Sequence, residues 1–176
     1  MQFLLENPIP TIISLIAETS TTAAVRSKAL YCLSGALKHN EAALVIFSEN
    51  NGWQALNSAL QDPDITCRRK SAFLIDALFQ HAEKPEALLV GAQESNVLST
   101  LVASLGSDMV PFGANGDQHE DVDLMEKALG ALKSVVERCG KDSLTAEQRK
   151  AVSEAVKSKD LGLTESEVSS LVAQLE

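Results

Sequence analysis

Apolar residues recur every three or four positions along most of this chain, and short polar, Gly or Pro segments separate the periodic stretches. In residues 24–39 the apolar side chains fall at 25, 29, 30, 33, 36 and 37, which is the spacing of one helix face. Similar patterns predict shorter helices over 41–48, 53–60, 85–94 and 97–105, and a short helix is also expected to end near Glu6. Aromatic residues make up only 4% of the chain, and this scarcity favours packed helices over strands. The sequence therefore predicts an all-α fold.

Local signals mark several helix ends. Asp62 and Pro63 resemble an N-cap and first-turn pair before a long helix that ends near His81. Gly140 is a plausible C-cap for a helix over 121–139. Two further helices are expected in the C-terminal part because it contains two capping boxes. These are Thr145 with Gln148 and Thr164 with Glu167.

Three segments of the chain resemble one another: RSKALYCL at 26–33, RKSAFLID at 69–76 and MEKALGAL at 125–132. Their shared alanines are Ala29, Ala72 and Ala128, which lie 43 and 56 positions apart. The longer interval contains an insertion near 108–120 that is rich in Gly, Asp, Asn and Pro. Without these 13 residues the interval returns to 43. A period of about 40–47 residues is typical of armadillo and HEAT arrays.

We therefore predict an armadillo-repeat α-solenoid, a right-handed superhelix of about three repeats. The repeats are expected at 1–40, 41–83 and 84–140, the last with the insertion near 108–120. Residues 141–176 carry more charge and predict a helical cap, since a solenoid needs terminal units with a polar outer side. The N-terminal end shows no such cap, so we expect an exposed edge there and a shortened chain.

The net charge indicates which classes of partner are excluded, and the cysteines indicate the compartment. The formal net charge is −9, which repels phosphate backbones and anionic lipid, so we expect neither nucleic acid nor membrane as a partner. No apolar run approaches the roughly 20 residues that span a bilayer. The three cysteines are isolated and predict free thiols in a reducing, cytoplasmic compartment, where they act as small buried hydrophobic residues.

The sequence shows no pattern of catalytic residues. It lacks the GxGxxG, Walker A, GxSxG and HExxH motifs, and we predict no enzyme, no cofactor and no metal site. His39 and His81 fall at the ends of long repeat helices, where a cation favours the helix dipole. His119 lies among acids in the insertion, but the calcium-loop spacing is missing. Residues 113–116 resemble a phosphate loop yet carry no lysine.

Basic residues open the long helices of adjacent repeats: Arg26 and Lys28 in one, and Arg68, Arg69 and Lys70 in the next. In a solenoid of this type the long third helices line a concave groove, so these residues would form a positive strip inside a negative protein. Two interpretations stay open. The basic residues either contact a partner or pair with acids of a neighbouring repeat and fix the stacking, and one residue can do both.

Three aromatic side chains lie in or beside these helices. Tyr31 and Phe73 are interpreted as core residues in preference to partner contacts, although the second interpretation stays open. Trp53 follows Gly52 at the start of a helix and is expected to be structural.

Several motifs, in order, resemble one known family over roughly residues 4–139. They are VRSKALYCLSGALKHN at 25–40, GWQAL at 52–56, LQDP at 60–63, RRKSAFL at 68–74, VPF at 110–112 and KALGAL at 127–132. Together they resemble the armadillo-type nucleotide exchange factors of the 70-kDa heat-shock chaperones, in particular the cytosolic fungal branch, which is related to the animal chaperone-binding protein.

The resemblance implies a co-chaperone without chemistry of its own. Its concave face would clasp one lobe of the chaperone's nucleotide-binding domain and displace the other, which releases ADP. Carried onto this chain, the partner-binding candidates are Arg26, Lys28, Tyr31, Arg68, Arg69 and Phe73. A monomer that acts in the cytoplasm is expected.

A general armadillo scaffold or peptide receptor is the alternative, and an enzyme is a distant third. Peptide receptors of this kind use ladders of Asn and Trp on the concave helices. The comparable positions here carry Ser34, Gly35, Asp76 and Ala77, which argues against an amide ladder.

Overall fold

The computed structural model describes residues 7–106 and 121–176. In these two ranges the chain forms ten α-helices and one short 3-10 helix, with no strand. The α-helices are α1 (Ile9–Ala17), α2 (Ala23–Leu37), α3 (Glu41–Glu49), α4 (Gly52–Leu60), α5 (Ile65–His81), α6 (Pro85–Glu94), α7 (Val97–Ala103), α8 (Val122–Cys139), α9 (Ala146–Ser158) and α10 (Glu165–Leu175). The 3-10 helix is Lys141–Ser143. The predicted all-α fold is confirmed.

Six of the ten described α-helices stack in two layers. In one layer α4 packs against α1 and α7, and in the other α5 packs against α2 and α8. The contact between α5 and α8 is the most extensive of all. Between the two layers α1 covers α2, α4 covers α5 and α7 covers α8, so that each helix buries one apolar face. This arrangement is an armadillo-type helical solenoid.

Two hydrogen bonds between neighbouring helices of a layer join residues that have the same separation in the sequence. The Lys70 ammonium donates to the Ser27 hydroxyl at 2.6 Å, and the Thr100 hydroxyl donates to the Asn57 side-chain oxygen at 2.6 Å. Each pair is 43 residues apart. The repeat boundaries at 40, 83 and 140 and the division from the cap stay a prediction.

An aromatic cluster fills the centre of the core. The Trp53 ring lies 5.2 Å from Phe47 and 6.1 Å from Phe79, measured between ring centroids. Two glycines provide the space, because a Cβ on Gly52 would lie 2.2 Å from Phe47 and a Cβ on Gly91 would lie 2.3 Å from Trp53. The structural role expected of Trp53 is confirmed by its burial.

Most of the predicted helix ends are confirmed. Gly140 follows α8 with φ of 83°, a left-handed conformation that suits glycine. Both capping boxes are present, with Thr145 and Thr164 each accepting a hydrogen bond from the backbone N–H three residues on. The predicted helix over 24–39 ends earlier, at Leu37, and His39 has a positive φ of 51°.

The prediction for the start of the long helix at 62–63 was wrong. The N-cap of α5 is Asp64, whose carboxylate accepts hydrogen bonds from the N–H groups of Thr66 and Cys67. Asp62 is buried instead and forms an ion pair with Arg26 of α2. A side-chain partner in another repeat therefore overrides the local capping preference of Asp62.

Several predictions fall outside the described residues. They are the insertion near 108–120, the VPF motif at 110–112, the segment 113–116, His119, and the short helix expected to end near Glu6. Within the described ranges no helix is long and apolar enough to cross a membrane.

Candidate protein-binding face

The exposed sides of α2, α5 and α8 form one surface, which we call the third-helix face. It is opposite to the side that α1, α4 and α7 cover. On α2 this side carries Lys28 and Tyr31, and on α5 it carries Arg69 and Phe73. Residues three or four positions apart on a helix project from the same side, so these side chains share a face.

Tyr31 and Phe73 are exposed, so their interpretation as core residues was wrong. Tyr31 is 75% exposed and Phe73 is 55% exposed. Their neighbours Leu30 and Leu74 occupy the core positions. Solvent-exposed aromatic side chains beside basic groups are typical of protein interfaces, where Tyr, Phe and Arg are enriched.

Arg26 is buried and joins two repeats. Its Nε and Nη2 atoms donate to the two carboxylate oxygens of Asp62 at 2.6 and 2.9 Å, a bidentate pairing. Its Nη1 atom donates to the Thr21 carbonyl. The hydrogen bond to Asp62 raises the pKa of Arg26 above its ordinary value, although burial opposes this. Burial raises the pKa of Asp62, but the bonds from Arg26 and the Asp64 N–H outweigh it and leave that pKa below the ordinary range.

Arg68 is more deeply enclosed, with only 1% of its surface exposed. Its Nη1 atom donates to the carbonyls of Asp62 and Pro63 at 2.7 and 3.1 Å, and so fixes the turn before α5. Desolvation lowers the pKa of Arg68, while Asp121, Asp62 and Asp64 act in the opposite direction. Arg26, Asp62 and Arg68 thus form a buried charged junction between α2 and the start of α5.

Arg69 lies at the edge of the face and contacts α8. Its Nε and Nη2 atoms donate to Asp121 Oδ1 at 2.9 and 2.7 Å, and Asp123 lies 3.1 Å away. The side chain of Arg69 stays 36% exposed. The bond to Asp121 raises the pKa of Arg69, against the opposing effect of burial. Arg69 therefore fixes the start of α8 while part of its surface stays open to a partner.

The six candidate residues consequently fall into two groups. Lys28, Tyr31, Arg69 and Phe73 reach the third-helix face, whereas Arg26 and Arg68 lie in the junction beneath it. The expected strip of basic groups is therefore interrupted. Arg26 and Arg69 pair with acids of a neighbouring repeat, which is the second of the two interpretations given for the basic residues.

A cavity of about 150 Å³ lies at the other end of these helices, between α2, α3 and α5. Leu37, Leu44 and Leu78 line its apolar part, and Phe73 reaches it from the open face. The His39 and His81 rings border it with their centroids 5.2 Å apart. Across the two described ranges, no three His, Cys, Asp or Glu side chains converge in a metal-binding arrangement.

The sequence placed Asp76 at a concave position but did not indicate it as a partner-binding residue. Asp76 lies on α5 beside Phe73, and its carboxylate accepts hydrogen bonds from Ser134 of α8 and from Gln80. Its spacing from Arg69 and Phe73 places it on the same side of α5. That spacing was visible in the sequence, although the partner Ser134 was not.

An all-α solenoid with an open face of aromatic and basic side chains defines the class of the protein: an armadillo-type helical repeat protein. Two curated fungal proteins similar to the chain are both named Hsp70 nucleotide exchange factor FES1. The one from Mycosarcoma maydis is 59% identical over 54 residues, which is 31% of this chain and 14% of that protein. The one from Cryptococcus neoformans var. neoformans serotype D (strain B-3501A) is 31% identical over 139 residues, which is 71% of this chain and 37% of that protein.

The chain therefore spans well under half the length of either relative. The predicted resemblance to fungal nucleotide exchange factors is confirmed by these matches. No protein-family model matches the chain. Among solved structures, the crystal structure of an engineered protein from the Northeast Structural Genomics Consortium aligns with a TM-score of 0.63 over 96% of this chain and 61% of that one. At 19% identity this likeness supports the fold alone.

Proposed function

We propose that this chain is a nucleotide exchange factor, a co-chaperone of a 70-kDa heat-shock chaperone. The observation that carries the proposal is its similarity to two fungal proteins of that name, one of them over 71% of the chain. The armadillo-type stack with an open aromatic and basic face is consistent with a protein that acts by binding another protein.

The proposed contact is the third-helix face. Tyr31 and Phe73 supply apolar area that is open before binding, and Lys28 supplies positive charge at its edge. Arg69 pairs with Asp121 and Asp123 but keeps part of its surface open to a partner. Arg26 and Arg68 serve this contact indirectly, because they hold α2 and α5 in register from the buried junction. The proposed division into three repeats and a cap gives the face its length.

The proposed mechanism requires no reaction on the factor itself. The face would hold one lobe of the chaperone's nucleotide-binding domain and displace the other, so that the lobes no longer enclose ADP together. The factor shifts the chaperone toward this open state because it binds that state better than the closed one. By the same reciprocity, ADP that closes the lobes weakens binding of the factor.

The remaining parts of the proposal follow from this role. We expect the chain to be a non-enzymatic monomer in the cytoplasm, without a cofactor or metal ion. Its net charge of −9 argues against nucleic acid or a membrane surface as its partner. The alternative is a general armadillo-type scaffold or peptide-binding module, which the exposed Tyr31 and Phe73 would also suit.

Two measurements separate these functions. Calorimetry with a purified nucleotide-binding domain of a fungal 70-kDa chaperone should detect binding, with lower affinity when ADP is present. Stopped-flow release of fluorescently labelled ADP should accelerate in the presence of the chain. Binding without acceleration would favour the scaffold, and the absence of binding at saturating concentration would contradict the exchange function of this chain.

A further inference from the structure

One carboxylate of the third-helix face lies in the crevice between α5 and α8. Asp76 projects from α5 toward α8, where Gly130 and Ser134 are opposite to it. The Ser134 hydroxyl donates to Asp76 Oδ1 at 2.5 Å. A Cβ on Gly130 would lie 3.7 Å from Asp76 Oδ2. Because Gly130 has no side chain, the space beside Oδ2 stays open to the face.

Two hydrogen bonds hold this carboxylate in place and leave one oxygen available. Besides Ser134, Gln80 Nε2 donates to Oδ1, at 2.9 Å. Both bonds end on the same oxygen, and in the described part of the chain no donor reaches Oδ2. The carboxylate is therefore fixed before any partner arrives, which reduces the entropy that binding must overcome.

The charge of Asp76 is also uncompensated, unlike that of its neighbours. Asp121 and Asp123 pair with Arg69, and Glu137 pairs with Lys133. No described lysine or arginine forms an ion pair with Asp76. A half-buried carboxylate with a free oxygen is best satisfied by a cationic donor, since charge-assisted hydrogen bonds are about twice as strong as neutral ones.

We propose that Asp76 is the point at which the third-helix face recognises a lysine or arginine side chain of its protein partner. The cation would enter the space above Gly130 and donate to Oδ2, with its aliphatic part against Phe73. This inference rests on the proposed function in one respect, namely that the face holds a protein partner. It adds the chemistry that the partner must present at this position.

Two substitutions distinguish recognition of a cation from a structural role. Asp76→Asn removes the charge but keeps an oxygen that accepts from Ser134 and Gln80. Ser134→Ala keeps the charge but removes the bond between α5 and α8. For binding to the chaperone nucleotide-binding domain, we expect Asp76→Asn to weaken affinity about tenfold and to reduce its salt dependence. We expect Ser134→Ala to change affinity by less than about threefold, with unchanged salt dependence.

Equal affinity of Asp76→Asn and the wild type would contradict the proposal, as would an equal loss in Ser134→Ala. Thermal unfolding of each variant is measured in parallel. A third variant, Gly130→Arg, places a cation beside Asp76 within the chain itself. It should weaken partner binding about as much as Asp76→Asn while retaining the folded state, and undiminished binding would again contradict the proposal.

A second experiment does not depend on the chaperone. Methylguanidinium is titrated into the ¹⁵N-labelled chain, with tetramethylammonium as a cation that has no hydrogen-bond donor. We expect saturable shifts of the Gly130 and Asp76 amides with methylguanidinium alone, and none in Asp76→Asn. Shifts that do not saturate, or that persist in Asp76→Asn, would overturn the assignment. If the wild type does not bind the chaperone domain, the proposed function fails, but this titration still decides the role of Asp76.

Discussion

The third helices present opposite chemistry at their N-terminal ends and along their open side. At the ends, Arg26, Asp62 and Arg68 are buried together. Arg26 pairs with the Asp62 carboxylate, and Arg68 donates to the Asp62 carbonyl. On the open side, Tyr31 and Phe73 leave large aromatic surfaces exposed to water. Charge is thus inside and apolar surface outside, the reverse of the usual distribution. The buried junction therefore holds α2 and α5 together, while the open face is available for binding.

The largest difference between the junction and the open face is expected when one charge is reversed in each. Arg68→Glu would place a carboxylate among Asp62, Asp64 and Asp121, and an uncompensated buried charge costs about 3–5 kcal/mol of unfolding free energy. The matched variant on the open face is Lys28→Glu, which reverses an exposed charge, and we expect a loss of about 0.5 kcal/mol or less. Urea unfolding monitored by the fluorescence of the single tryptophan, Trp53, measures both. Equal losses would remove the distinction between junction and face.

A somewhat smaller loss of stability is expected where Trp53 packs against α6. Gly91→Ala would place a methyl group about where the indole lies, and overpacking of this kind costs about 1–3 kcal/mol. On the exposed side of α2, a Cβ at Gly35 would meet no other atom within 4 Å, so Gly35→Ala is the matched control and should be neutral or slightly stabilising. A smaller loss in Gly91→Ala than in Gly35→Ala would contradict the packing described here.

Acid should weaken the junction because it protonates Asp62. The pKa of Asp62 is lowered in the folded chain, so the stability that its ionised form contributes is present above the unfolded pKa of about 4. It is lost as the pH falls through the lower, folded pKa. Thermal unfolding followed by circular dichroism should therefore show a steep fall below about pH 4. Asp62→Asn should be less stable near neutral pH and should show a shallower fall, whereas an unchanged slope would contradict this role of Asp62.

On the open face, truncation of an aromatic side chain should weaken binding and leave stability nearly unchanged. Tyr31→Ala and Phe73→Ala should each leave the free energy of unfolding within about 0.5 kcal/mol of the wild type. Each should weaken binding to the chaperone domain by about 1–2 kcal/mol, as aromatic interface residues commonly do. Calorimetry measures the affinity. A large loss of stability without any loss of affinity would place these residues back in the core.

The smallest expected effect compares two cysteines in neighbouring helices. Cys32 is exposed, whereas burial is the main cause that raises the pKa of Cys67 to about 11. At pH 8 only roughly one in a thousand Cys67 side chains would be thiolate. A thiol reagent should therefore modify Cys32 rapidly and Cys67 only on unfolding, and Cys32→Ser should remove the rapid phase. Rapid modification of Cys67 in the folded chain would contradict its burial.

Local sequence signals predicted the helices well. The periodic positions of α2, the capping boxes at Thr145 and Thr164, and the stop at Gly140 depend on residues within one or two turns of each other. The repeat period could also be read from the sequence, since every unit buries the same face against its neighbour and so repeats the same apolar pattern. These features could be predicted from the sequence without knowledge of how the helices pack.

The candidate site was harder to predict because it depends on contacts between repeats. Nothing near Asp62 in the sequence indicates that Arg26 will occupy its carboxylate, so the cap was placed two residues too early. Tyr31 and Phe73 fit an apolar helical pattern equally well as core or surface residues. Their exposure follows from the rotation of α2 and α5 in the stack, which places Leu30 and Leu74 inward. The exposed Cys32 was misassigned to the interior for the same reason.

The role of the third-helix face is tested most directly by ADP release in the presence of two matched double variants. Tyr31→Ala with Phe73→Ala alters the third-helix face. Val45→Ala with Val90→Ala removes apolar groups that are 56% and 55% exposed on α3 and α6. We predict that the wild type and the valine variant accelerate release of labelled ADP from the chaperone domain, while the aromatic variant, equally folded, does not. Equal acceleration by both double variants would contradict the role of the third-helix face, and no acceleration by the wild type at saturating concentration would contradict the exchange function.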